Sequence, residues 1–124
     1  MACCANCDDK QTSPQSVHHL AVVTSFFNPH RGHRRAAIYS QFAEGIRRQG
    51  LPLFCVESSF GRQSSQVGST WQVEIDPDAV LWHKESLLQW AIDRLPDYYD
   101  AVVWIDADVV YQIDDLGGRI IDAL

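Results

Sequence analysis

Asp106 and Asp108 close the stretch "VVWIDADVVY", residues 102 to 111, in which an almost wholly apolar run ends in two carboxylates one residue apart. A packed core gains nothing from two acids, so the pair calls for a ligand or for water. On an extended chain, residues two apart project from the same face, about 6 to 7 Å from one another. Two ionised carboxylates so placed repel, and a divalent cation reverses that repulsion. Oxygen donors select magnesium, manganese or calcium over softer metals, and magnesium-type sites use one or two carboxylates completed by substrate phosphates. The pair therefore points to Mn2+ or Mg2+ bridging to a diphosphate, one Asp on the ion and the other acting through water or through the ligand. The plain alternative is that the acids solvate a turn or cap the next helix.

Such a pair does chemistry only if rigid elements present it. Three short apolar runs, "LAVVT" at 20 to 24, "LPLFCVE" at 51 to 57 and "AVVWID" at 101 to 106, are rich in β-branched or aromatic residues and lack polar alternation. They read as strands covered on both faces, hence as a parallel sheet. "WQVEI" at 71 to 75 alternates and reads as a strand nearer an edge. Between the first two runs, "HRRAAIYSQFAEGIRRQG" sets Ile38, Phe42 and Ile46 four apart and stops at Gly50, which predicts an amphipathic helix with a left-handed cap. Before the last run, Asp76 and Pro77 are the expected cap and first residue of a second helix. Its apolar face takes Leu81, Leu88, Ala91, Ile92 and Leu95, and Pro96 ends it.

The order strand, helix, strand, loop, strand, helix, strand predicts an α/β chain with a Rossmann-like parallel-sheet three-layer sandwich. Sheets of this kind bind ligands beyond the carboxyl ends of their strands, where the strand order reverses. Asp106 and Asp108 stand at such an end.

Composition narrows the partners. The 124 residues suffice for one small domain, and 46% hydrophobic with 21% charged residues is ordinary globular composition. A net charge of -6 is repelled by a phosphate backbone or an anionic membrane surface, so a nucleic acid polymer is not an expected partner. No apolar run approaches the length of a membrane span, and the expectation is a soluble, cytoplasmic protein. Residues 1 to 16 read as a flexible leader ahead of a domain at 17 to 124. Within the leader Cys3, Cys4 and Cys7 have the spacing of a metal or redox pair, but only His18 and His19 lie near enough to complete a zinc site, so reduced thiols are expected there. Cys55 reads as a small core residue.

"HRGHRR" gathers His30, Arg31, His33, Arg34 and Arg35 where the first helix begins, and positive charge there opposes the helix dipole. Two readings stand side by side: Arg31, Arg34 and Arg35 contact a phosphate, or they form a solvated basic turn. Trp71, Trp82, Trp90 and Trp104 read as core or rim packing before a sugar platform, Trp82 alone being a candidate for the site.

The strand end "AVVWIDADVVY" resembles the D-x-D strand end of nucleotide-sugar glycosyltransferases with the glycosyltransferase A fold. "VVTSFFNP", "YSQFAEGIRRQGLPLFCVESSFG" and "LWHKESLLQWAIDRLPDYYDAVVWIDADVV" resemble, in that order, bacterial and phage proteins described as glycosyltransferase-like, so the resemblance spans about Ala21 to Tyr111. It implies that the chain binds a nucleotide-diphosphate sugar, with Asp108 the direct metal ligand and Asp106 toward the ribose or a metal-bound water. It further implies that Thr24, Ser25 and Phe26 line the nucleoside pocket, that Glu57 ends the second strand beside it, and that Trp82 and Lys84, with Glu85, belong to the site. On residue type alone, Lys84 and Glu85 read equally as solvated charge on a helix.

The family's pattern continues into a second, acceptor-binding half, whereas only "QIDDLGGRIIDAL", a short helix at most, follows the stretch that ends at Tyr111. The expectation is the N-terminal, donor-binding half of a glycosyltransferase A fold, a fragment or a relic, from which transfer in isolation is not expected. The surface left uncovered would favour self-association. Two other classes fit parts of the pattern. Asp106, Asp108 and Val109 also match the D-x-D-x-[TV] motif of haloacid dehalogenase-like phosphatases, but that motif opens its domain and here stands near the end. The remaining reading is a non-catalytic Rossmann-like module that binds a nucleotide or another chain.

Overall fold

A computed structural model describes residues 19–78 and 83–124. The elements run β1 (Leu20–Phe27), α1 (His33–Arg48), β2 (Leu53–Phe60), β3 (Trp71–Ile75), α2 (Lys84–Ile92), β4 (Ala101–Trp104) and α3 (Leu116–Asp122). All pairings are parallel and the strand order is β3-β2-β1-β4. This is the expected α/β, Rossmann-like sheet with helices on both faces.

The period of two along each strand divides the core. Val22, Phe26 and Cys55 face α1, where they meet Tyr39, Phe42, Ala43 and Ile46, and Leu116 of α3 joins the same cluster. Val23 and Val56, one residue on, face α2 and pack on Leu87, Leu88 and Ala91. The helices thus cover opposite faces because adjacent strand residues point opposite ways. The α1 stripe differs from the expected one in one place: Tyr39 is buried, and Ile38 turns instead toward the carboxyl end of the sheet. Gly50 has φ of 70°, with its N–H on Arg47 O at 2.9 Å and the Leu51 N–H on Ile46 O at 3.4 Å, a Schellman cap that ends α1 as expected.

Several element boundaries depart from the expected ones. Strands β1 and β2 each run three residues past the expected ends at Thr24 and Glu57, because Ser25, Ser58 and Ser59 continue the ladder in spite of their polar side chains. Helix α2 starts at Lys84, not at Pro77: Asp76 accepts the Asp78 N–H at 2.9 Å in a local turn, which takes up the capping carboxylate. Strand β4 stops at Trp104, and as an outer strand with one neighbour it is covered only in part, Trp104 being 53% exposed. Strand β3 alternates half-buried and exposed residues at the other edge, as its sequence pattern requires.

The segment after β4 returns to the α1 face. Gln49 donates to Ile113 O at 2.8 Å and accepts from Leu116 N at 3.1 Å, and Leu116 enters the core. Asp115 caps α3 by accepting the Gly118 N–H at 3.1 Å; a Cβ on Gly118 would lie 2.2 Å from that carboxylate, so the second glycine is required by the cap.

Candidate functional site

Chain connections run outward from β1 to β2 and β3, then return across the sheet to β4 on the other side of β1. The reversal therefore falls between β1 and β4, and a crevice opens beyond their carboxyl ends. A cavity of about 690 Å³ occupies it. Its base is Ser25, Phe26 and Phe27 of β1; Ser58 and Phe60 of β2 and Ile75 of β3 extend one wall; Arg35 and Ile38 of α1 lie on one side and His83, Lys84 and Leu87 on the other. Asp106 and Asp108 close the rim with Ala107.

The acidic pair is positioned by β1. The Ile105 N–H donates to Val23 O at 3.0 Å, and the Thr24 hydroxyl donates to Ile105 O at 2.7 Å. Both polar groups of Ile105 are thereby tied down, and the chain leaves the sheet at Asp106. The Val109 N–H then bonds Asp106 O at 3.3 Å, so residues 106 to 109 form a turn and not the extended segment expected from the sequence. The two carboxylates still border one cavity, but as neighbours on a turn and not as same-face residues of a strand.

Lys84, the first residue of α2, places its ammonium on the Asp106 carboxylate and 5.0 Å from the centroid of the Trp104 ring. Arg35 is held on the other side by a 3.0 Å bond from its guanidinium to Phe27 O. Two cations and two carboxylates thus surround a chamber whose walls are mostly aromatic and aliphatic, with Ser25, Ser58 and His83 as further polar groups, the usual build of a pocket for a small polar ligand with an apolar part.

The structure brings Ser25, Phe26, Lys84, Asp106, Asp108 and Arg35 together and leaves other expected site residues outside the cavity lining. Thr24 is fully buried and serves the Ile105 bond. Glu57 lies inside β2, also buried; it accepts from the Ser65 hydroxyl at 2.5 Å and from the Gln66 N–H at 2.9 Å, so it anchors the 61–70 loop. Arg31, at φ of 51°, donates to Gln63 Oε1 at 2.9 Å and joins the same loop to the β1–α1 connection. Arg34 is exposed and does not line the cavity. Trp82 and Leu81, like the leader with Cys3, Cys4 and Cys7, lie outside the described residues. Phe27, Ser58, Phe60 and His83 are cavity residues that the sequence did not single out, and Ile38, expected on the core stripe of α1, joins them. The signal for Phe27 and Phe60 was present in "TSFF" and "SSF", where an aromatic side chain follows serine at the true strand ends.

Among the described residues, no three His, Cys, Asp or Glu side chains converge as a metal cage. The donor set at the rim is a pair of hard carboxylates. That set suits a magnesium-type ion, which takes one or two carboxylates when phosphate oxygens complete its shell. No family model matches the chain, and no curated protein or solved structure matches it. No described helix is long and apolar enough to cross a membrane.

Proposed function

We propose that this chain is glycosyltransferase-like and binds a nucleotide-diphosphate sugar in the cavity beyond the carboxyl ends of β1 and β4. The observation that carries this reading is that Asp106 and Asp108 border the crevice at the sheet's reversal, with Lys84 and Arg35 facing the same space. Phe26, Phe27 and Phe60 supply apolar surface for the nucleoside, Ser25 a hydroxyl for its polar edge, and Lys84 and Arg35 positive charge for the phosphates. Asp108 and Asp106 hold the divalent ion, Mn2+ or Mg2+, which when bound supplies positive charge to the departing nucleoside diphosphate. The chain's own contribution is to orient the donor and to exclude water from it along the aromatic wall. We assign it the donor side of the reaction; transfer calls for an acceptor-binding surface in addition. We place it in the cytoplasm, where a buried free thiol such as Cys55 stays reduced.

Calorimetric titration with uridine diphosphate, with and without Mn2+, tests this proposal beside an Asp108→Ala variant and a guanosine diphosphate arm. The expected result is binding that needs the metal and weakens by at least about tenfold in the variant. A folded chain that binds neither nucleotide would favour a second reading, an interaction module. Trp104, Val110, Tyr111 and Ile113 are exposed on and after the outer strand β4, a surface suited to self-association.

A further inference from the structure

Lys84 stands at the N-terminal end of α2, where positive charge opposes the helix dipole, and α2 has no side-chain cap there. Its position is explained by what it touches. The ammonium sits on the Asp106 carboxylate beside the Trp104 ring, and the Lys84 side chain is only 20% exposed against 49% for Asp106. One of the cavity's two cations therefore occupies one of the two carboxylates that the diphosphate reading gives to a divalent ion. An ammonium and a divalent ion in contact with one carboxylate repel each other strongly, so occupancy by one disfavours the other.

We infer that Lys84 is a placeholder cation: it keeps free divalent ions off Asp106, and it moves to the phosphate oxygens when ion and diphosphate arrive together. This rests on the diphosphate reading of the cavity and adds a rule for how the site loads. The lysine stem carries a compact charge on four flexible methylenes, which lets the ammonium change acceptors without moving α2. Arg35 is less free to do so, because its guanidinium already bonds Phe27 O. Two consequences follow from linkage. The ion alone binds weakly, and ion and diphosphate each strengthen the other by the same factor. Removing the lysine charge then has opposite effects on two affinities, which loss of a merely structural contact does not produce.

The test measures free Mn2+ by electron paramagnetic resonance, without nucleotide, for the wild-type chain, Lys84→Gln and Lys84→Arg. Uridine diphosphate is then titrated at saturating Mn2+. Lys84→Gln is expected to bind Mn2+ alone about three- to tenfold more tightly than wild type, from loss of the competing ion pair. It is expected to bind uridine diphosphate about tenfold more weakly, from loss of the phosphate contact. Lys84→Arg keeps the charge and stays near wild type for Mn2+ alone. Equal or weaker Mn2+ binding by Lys84→Gln overturns the inference, and so does a gain in Mn2+ affinity with no loss of nucleotide affinity. A wild-type chain that binds no nucleotide with Mn2+ overturns the diphosphate reading itself, while the Mn2+ comparison still decides whether Lys84 guards Asp106.

Discussion

Thr24 has no exposed surface and no contact with the cavity, yet its hydroxyl fixes the carbonyl of Ile105, one residue before the acidic turn. Thr24→Val keeps the shape and removes the donor. The expected cost is about 1 to 3 kcal/mol in urea unfolding, because the Ile105 carbonyl loses its bond to the side chain in a buried place. Nucleotide affinity should fall with it, since Asp106 is aimed by that bond; unchanged stability would show that the carbonyl finds another donor. At this scale the sequence was legible for Asp106 and Asp108, because acids directly after an apolar run are conspicuous. It was not legible for Glu57. A carboxylate within a buried strand is held by Ser65 and Gln66, and those partners come from a loop with no periodicity to reveal them.

Among elements, α1 and β2 meet through Tyr39 and Cys55, two ionisable groups in an apolar cluster. Burial pushes the Cys55 thiol up from 9.0 to about 12, and burial, with Cys55 beside it, pushes the Tyr39 hydroxyl well above its ordinary 10.0. Both groups are acids whose folded values are raised, so the unfolded chain releases these protons first as the pH climbs. The stabilisation is complete below about pH 9 and is lost as the pH rises toward 12, at about 1.4 kcal/mol per pH unit for each group ionised only when unfolded. Urea midpoints should therefore drop between pH 8 and pH 10.5, and the drop should be shallower in Cys55→Ala; an equal drop in both proteins would remove Cys55 from the account. The α1 helix and the hydrophobic middle of each strand were plain in the sequence. The strand ends were not, because Ser25, Ser58 and Ser59 are weak strand formers that the parallel ladder carries along. Of the residues that the resemblance put at the pocket, Ser25 and Phe26 line the cavity while Thr24 and Glu57 lie further back in their strands, and Phe27 and Phe60 stand at the strand ends. Helix α2 was misjudged at its start for a related reason: Asp76 can cap a helix or close a turn, and its bond to the Asp78 N–H selects the turn.

For the whole molecule, alternation of strands and helices was enough to anticipate a parallel α/β sheet, since parallel strands require crossovers. The position of β4 was not readable from any one segment. It follows from pairing along Leu20 to Val23, which sets the last strand beside the first and creates the crevice where Asp106 emerges. The site is a product of that topology, assembled from five elements that are far apart along the chain. The proposed function puts a metal-bound diphosphate beyond the carboxyl ends of β1 and β4. The most direct measurement is paramagnetic broadening of backbone amide signals when Mn2+ is added to an isotopically labelled chain holding uridine diphosphate. Broadening is expected to be strongest at Asp106 through Val109, Ser25 through Phe27 and the first turn of α2, to fall off with distance from them, and to be far weaker without the nucleotide. Broadening centred elsewhere, or the same with and without nucleotide, would contradict it.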